Sequence, residues 1–440
     1  MTNRKTKAAL LAASLSLGAW AGGAQAAGFA LKEQSATAQG NAFAGATAGA
    51  EDLSYMFFNP ATIGRLDGYG AMAVASAVMP HSKVKDATAT AATGLPIAGR
   101  ADLGDVGKNA LVPAFYAMAE LSPAFRLGLG VNVPFGLETD YPDDWAGRYQ
   151  ATNSEVRTVN VNPVVAATVL PGLTLAAGLQ AQYVEAKLSN RIDLNTISLA
   201  NGGPAVPVDG DVEVQGDDWS LGYNVGVLYE YSPEGRVGLA YRSGIDHTLK
   251  GDADFTIPAA VAPAFGPLFA DTGDSASVDL PPTVSAGIRQ AVGHGVDLMG
   301  EVAWTGWSSF DDLVIEFDNP AQPDSVTTEN WDDAWFAAVG ASYAFNDQVT
   351  LRAGVAYDQS PVPDGTRTPR IPDGDRYWLS LGVGYQPLKN VGLDLSYTHI
   401  FVEDTDVSLT AAGENAARGS LDASYENSID LVAVSVQVQF

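Results

Sequence analysis

The chain is 440 residues long, contains no cysteine, and sets 51 acidic against 24 basic side chains for a formal net charge of −27. That balance excludes a nucleic-acid partner, because phosphate binding needs the opposite sign. The length suits about two or three soluble domains or one large barrel, and an exported barrel without disulfides must be held by its strand ladder.

At the N-terminus, Arg4, Lys5 and Lys7 precede an apolar stretch from Ala8 to Trp20 and then the small residues Ala24 and Ala26. This is the pattern of a secretory signal peptide over residues 1–26, cleaved after Ala26. The apolar stretch is too short to cross a bilayer as a helix, and no later segment approaches the roughly 20 apolar residues such a helix requires. A membrane crossing by the mature chain, starting at Ala27, is therefore expected to use strands.

Residues 27–65 are rich in Ala, Gly, Ser and Thr and show no strand alternation. Phe29, Leu31, Phe43, Tyr55, Met56, Phe57 and Phe58 supply apolar groups that favour burial over a disordered leader. A segment of this size can fold back into a barrel lumen and block it as a hatch. Within it, Asn59-Pro60-Ala61 reads as a turn, since Pro60 fixes its own φ and restricts Asn59.

Residues 66–440 repeat an alternating segment, a tight turn, a second such segment and a long polar loop. The segments are expected near Leu66–Met79, Leu111–Leu121, Phe125–Phe135, Glu155–Leu170, Leu173–Leu188, Trp219–Tyr231, Arg236–Lys250, Val278–Gln290, Val296–Phe310, Trp335–Phe345, Val349–Asp358, Arg376–Gln386, Val391–Val402 and Asn427–Phe440. That is about fourteen, an even number as single-chain bacterial barrels require. Short turns at Ser122-Pro123, Pro171-Gly172, Ser232 to Gly235, Gly293 to Gly295, Asn346-Asp347 and Pro387 to Asn390 alternate with long connections, which puts both termini on the periplasmic side. The expected fold is thus an all-β transmembrane antiparallel barrel of an outer membrane. Outward aromatics at the strand ends, among them Trp219, Tyr231, Trp335, Phe345 and Tyr377, read as its two interfacial girdles. The last strand carries Val432, Val434, Val436 and Val438 on one face and ends on Phe440, which resembles the assembly signal of bacterial outer-membrane proteins.

No Gly-x-Ser-x-Gly, His-Glu-x-x-His or phosphate loop is present, so neither an enzyme nor a cofactor is expected. His81, His247, His294 and His399 fall at predicted strand ends or loops, where solvated surface is their expected fate. The acidic stretch Asp209 to Asp218 lacks calcium-loop spacing, and the acids otherwise cluster in predicted loops, which either solubilise the exterior or bridge divalent ions to lipopolysaccharide. Strand parity, with charge costly on the lipid face, turns Arg126, Arg236, Arg242, Arg289, Arg352, Arg376, Glu230, Asp297, Glu301 and Asp394 inward. Most of these are expected to pair with each other and with the hatch. Arg242 and Arg376, with Trp378 on the same face, lie toward the long-loop end and are the candidate contacts for a ligand carboxylate. The loop stretch Ile257 to Phe269 is apolar enough to form an external capture groove. On the third strand Gly128, Gly130, Asn132 and Pro134 share one face and invite a kink.

Ala27-Gly28-Phe29-Ala30-Leu31, Gln39 to Gly45, Asn59-Pro60-Ala61, Pro134 to Leu137, Trp145 to Tyr149, and Ser360 to Asp364 through Arg376-Tyr377-Trp378 resemble the corresponding stretches of the FadL family over essentially the whole mature chain. The resemblance implies a fourteen-stranded barrel plugged by its N-terminal hatch, and a monomer is expected. It implies uptake of long-chain fatty acids or other hydrophobic compounds, with extracellular capture, binding in the lumen, a hatch rearrangement involving Gly28, Phe29, Asn59, Pro60 and Ala61, and lateral release at a kinked strand. An aromatic-hydrocarbon channel of the same family, a structural or adhesive barrel with a permanently closed plug, and an ordinary porin are the alternatives; the hatch speaks against the porin.

Overall fold

The computed structural model describes residues 27–440, so the expected signal peptide lies outside the described residues. Fourteen antiparallel strands form a closed barrel. They are β1 (Tyr69–Thr90), β2 (Ala110–Ser122), β3 (Phe125–Asn132), β4 (Asn153–Leu170), β5 (Leu173–Ile192), β6 (Gly210–Glu230), β7 (Gly235–Arg242), β8 (Thr283–Gly293), β9 (Val296–Thr305), β10 (Ala334–Ala344), β11 (Val349–Asp358), β12 (Arg376–Leu388), β13 (Val391–Val402) and β14 (Ser420–Gln439). Each pairs with its sequence neighbours, and β14 pairs with β1 from Gly70↔Gln439 to Thr90↔Ser420. Closure leaves no sheet edge, the condition for strands to cross a membrane. Short extensions, among them Gly136–Asp140, Ile245–Thr256, Thr272–Leu280 and Asp312–Phe317, continue the wall at its long-loop end.

The outside of the wall inverts the pattern of a soluble protein. Leu127, Leu129, Leu179, Leu221, Leu239, Val302, Val339 and Leu381 are exposed on strands around the barrel, the apolar band expected against lipid. Tyr231, Trp335, Phe345 and Tyr377 are exposed with them at or next to strand ends, while Trp219, also exposed, stands midway along β6, which begins earlier than expected. The alternate positions face inward and are buried under the segment that precedes β1.

Two expected strands are broken. The stretch expected over Arg236–Lys250 stops at Arg242 and resumes at Ile245, and the one expected over Val278–Gln290 is divided between Leu280 and Thr283. Pro281 and Pro282 lack the N–H a ladder needs, which accounts for the second break. Two expectations about charge are corrected. Asp209 to Asp218 is not loop: from Gly210 it belongs to β6, where Asp211 pairs with Arg191 at 2.7 Å and Glu213 with Lys187 at 2.7 Å. His247 is not solvated. It sits on the inner face, fully buried, with Nδ1 2.9 Å from Asp218 and Nε2 3.2 Å from Gln182.

Residues 27–66 fill the lumen. A turn of helix at Ala36–Gln39 packs on β12, β13 and β14, while the 3-10 turns Leu53–Phe57 and Pro60–Arg65 pack on β1, β2 and β4 to β6 across the barrel. Phe43, Leu53, Tyr55, Met56 and Ile63 are its buried apolar groups. The wall makes room for it with missing side chains: a Cβ at Gly354 would fall on the Asn41 carbonyl, and one at Gly238 on the Thr47 carbonyl.

Candidate transport path

The inward charges converge on the hatch. Arg236 donates to the Ala48 carbonyl at 2.5 Å and pairs with Glu51 at 2.6 Å; Arg289 pairs with both Glu51 and Asp297. Glu301 accepts the Thr47 N–H at 3.1 Å and the Thr47 hydroxyl, Glu230 pairs with Arg65, and Arg352 pairs with Asp394 at 2.6 Å. Asn59 is buried, and its side chain makes three bonds. It accepts the Ala61 N–H at 2.9 Å, opening the turn that Pro60 starts, and donates to Thr47 O at 2.7 Å and to Val227 O on β6 at 3.0 Å.

The first described residues run to the middle of the chamber. Gly28 has φ +64°, and a Cβ there would meet the Trp331 ring at 2.6 Å, so this position accepts only glycine. Its N–H donates to Asp373 at 2.9 Å. Phe29 follows into a cage of rings: Trp307 at 4.9 Å between centroids, Phe135 and Trp331 at 5.8 Å, and Phe310 at 5.9 Å. Edge-on pairs of this kind contribute about 0.5–1.5 kcal/mol each beyond their buried area.

Phe135 belongs to an interruption of the wall. The β2–β3 ladder ends at Phe115↔Val131, and beyond it Gly136–Asp140 pairs with β4 on one side and on the other meets the chain at a single bridge, Gly107↔Thr139. Between Asn132↔Asn160 and Gly136↔Arg157 the chain fits Val133, Pro134 and Phe135 opposite two residues, a bulge. The N-terminal segment supplies the missing partners. Leu31 N–H donates to Pro134 O at 2.7 Å, Gln34 Nε2 to Val133 O at 2.6 Å, and Gly136 N–H to Phe29 O at 2.9 Å. Of the expected kink residues only Pro134 lies in the break. Gly128 and Gly130 stand inside regular pairing, and Gly128 instead leaves space for Met56 and Ile63 of the hatch.

Three spaces line up along the lumen. At the long-loop end a groove of about 440 Å³ is lined by Leu188, Phe255, Leu268, Phe269 and Phe317 with Arg370. It shares Leu188, Val214, Leu313, Ile315 and Arg370 with a narrow cavity of about 80 Å³, lined by Val184, Leu249, Val278, Phe310 and Ile371 and ending on Phe29. Beyond the Phe29–Phe135 pair lies a third space of about 110 Å³, with Phe57, Phe58, Pro134, Arg242 and Lys32. The apolar loop stretch Ile257 to Phe269 supplies Leu268 and Phe269 to the groove.

Arg370 holds the junction of groove and cavity. It donates to Asn153 O and Ser154 Oγ, both at 2.9 Å, yet no carboxylate among the described residues lies within ion-pairing distance of it. Burial with Arg418 nearby pushes its guanidinium down to about 9, so it stays cationic at neutral pH. Glu329, lining the same cavity, is pushed up to about 7 by burial although Trp331 Nε1 donates to it at 2.9 Å.

The expected ligand contacts are placed differently. Arg376 is fully buried against Asp373, 3.0 Å from Nε, and Trp378 packs edge-on against Phe43 of the hatch; neither lines the groove or the two inner spaces. Arg242 lines the third space, but donates to Gln180 and to Phe57 O and lies 4.6 Å over the Phe57 ring. Sequence reasoning missed Arg370 and Glu329 because loops carry no parity. It also missed the wall glycines, whose signal was readable: Gly238 and Gly354 share the inward register of Arg236 and Arg352.

A family model described as outer membrane protein transport protein (OMPP1/FadL/TodX) matches residues 17–440. A putative outer membrane protein of Neisseria meningitidis serogroup B is 32% identical over 94% of this chain and 95% of its own length. The long-chain fatty acid transport protein of Salmonella typhi is 28% identical over 90% of this chain and 91% of its own. Among solved structures, a Pseudomonas aeruginosa FadL homologue superposes with a TM-score of 0.85 at 27% identity, over 94% of this chain and all of its own.

Proposed function

The chain belongs to the OMPP1/FadL/TodX family of outer-membrane transport proteins for hydrophobic compounds, and from that premise we propose that it takes up long-chain fatty acids or apolar molecules of similar size. The observation that carries this reading is the continuous apolar path from the groove to Phe29, with the guanidinium of Arg370 at its junction, in no ion pair among the described residues. In this reading the long loops face the exterior, and the short turns and both termini the periplasm.

An acyl chain captured in the groove slides inward, each buried methylene contributing about 0.8 kcal/mol. Arg370 takes the carboxylate, replacing Arg242 and Arg376 in that role. The tail enters a cavity of about 80 Å³, well short of the roughly 300–1,000 Å³ of ordinary ligand pockets. Phe29 must therefore swing out of its cage. Its departure frees the backbone of Val133 to Gly136, and the ligand leaves sideways through that break into the membrane. The Trp307, Phe310 and Trp331 rings around Phe29 support a second reading, an aromatic ring as the cargo.

The test is oleate and toluene binding to the detergent-purified barrel, in the wild type and in Arg370→Ala. Loss of a charge-assisted contact is expected to weaken oleate by about 1.5–3 kcal/mol and leave toluene unchanged. Equal oleate affinity in both would remove Arg370 from the role, and toluene binding alone would select the aromatic cargo.

A further inference from the structure

We propose that the buried carboxylates around Ala27 form a socket for the α-ammonium of the mature chain, so that removal of the leader completes the closed hatch. Hydrolysis of the Ala26–Ala27 bond consumes a water, leaves a carboxylate on Ala26, and turns the Ala27 amide nitrogen into an ammonium. The reading of the cleavage site is a premise of this inference.

Ala27 is buried, and its N–H donates to the carboxylate of Asp358, the last residue of β11. The next residue, Gly28, donates to Asp373 at 2.9 Å, which also takes the Ser360 hydroxyl at 2.9 Å and Arg376 Nε at 3.0 Å. Asp373 is thereby satisfied. The two carboxylates beside it are not: among the described residues Asp358 Oδ2 has no hydrogen-bond partner, and the buried Glu33 carboxyl meets nothing but its own backbone N–H, a costly state for ionised groups.

The charges that face this site are Glu33, Asp358 and Asp373 against Lys32 and Arg376. Three carboxyl groups meet two basic ones. Lys32 is partly engaged elsewhere, its Nζ 4.3 Å from the Phe336 ring. An amide at Ala27 offers one donor and no charge. The ammonium offers three donors and a positive charge at the position where the chain already meets Asp358. Phe29 lies two residues on, so whatever seats Ala27 also seats the ring that divides the lumen.

The experiment uses the mature barrel purified from outer membranes. N-terminal sequencing establishes the first residue, and the pH midpoint for acylation of its α-amine is followed by mass spectrometry of the N-terminal peptide, folded and denatured. An ordinary α-amine titrates near about 7.7–8.0. Burial alone would lower the midpoint; the socket raises it, by about one unit or more. Asp358→Asn is expected to abolish the rise. A variant with one glycine added ahead of Ala27 keeps every carboxylate, folds on the same wall, and is expected to return to the ordinary range. A folded-state midpoint at or below the denatured one overturns the proposal, as does a rise that survives the added glycine or a first residue other than Ala27. None of these outcomes bears on oleate binding, which Arg370→Ala tests separately.

Discussion

Glu329 takes the Trp331 indole N–H and lines the same cavity as Arg370, and burial holds its carboxyl up at about 7 against an ordinary 4.5. Between those two values the folded chain binds a proton that the unfolded chain has lost. Stability should therefore fall as pH rises through this window and level off above it. Glu329→Gln, which keeps an acceptor for Trp331, should remove that dependence. Thermal unfolding at pH 5 and pH 8 is the check: the variant matches the wild type in acid and exceeds it by up to a few kcal/mol at pH 8. A constant difference between the two pH values would mean that Glu329 titrates normally. At this scale the sequence was readable only in part. Parity put Arg242 and Arg376 on the inner face, and there they are. What parity does not carry is what waits on that face, and Phe57 and Asp373, contributed by the hatch and by a loop, occupy the two guanidinium groups. Arg370 has no periodic neighbours that could have marked it.

The hatch and the wall fit by subtraction as much as by contact. Where Gly354 and Gly238 leave backbone bare, the hatch backbone lies directly on the strands. Gly354→Leu should force Asn41 off β11 at a cost of about 1–3 kcal/mol in overpacking. Its expected signature is a higher ion conductance in planar bilayers; unchanged conductance would mean that the hatch shifts without unsealing. Asn59 ties the same segment to β6 by side-chain bonds. Asn59→Ala should lower resistance to urea unfolding by about 1–3 kcal/mol, since Thr47 O and Val227 O lose a donor away from water. The strands themselves were legible because alternation and turn chemistry agree along most of the wall. The breaks at Ser243-Gly244 and near Pro281 were not, since the alternation continues across them while the backbone does not. The Gly128–Gly130 pair misled for a related reason: glycine marks a close approach as readily as a kink, and Met56 is what approaches.

For the whole molecule, the question is whether the plug is a working part. Removing Ala27 to Ala61 from the mature chain should alter oleate uptake into whole cells, whereas a structural or adhesive barrel would take up as little before as after. The closed barrel was foreseeable from the even count of segments and from the alternation of short and long connections, both of which survive averaging over many residues. The spaces left inside the lumen were not, because they are assembled from contacts between residues hundreds of positions apart. One of those assemblies carries a wider consequence. The bulge at Val133–Phe135 has no strand on its β2 side and borrows Phe29, Leu31 and Gln34 from the plug, so seating the plug and sealing the wall are expected to be a single equilibrium. Linkage then runs both ways. A bilayer that presses the break shut must also hold Phe29 in its cage, and a cargo that needs Phe29 displaced should bind more weakly in stiff, tightly packed lipid than in detergent.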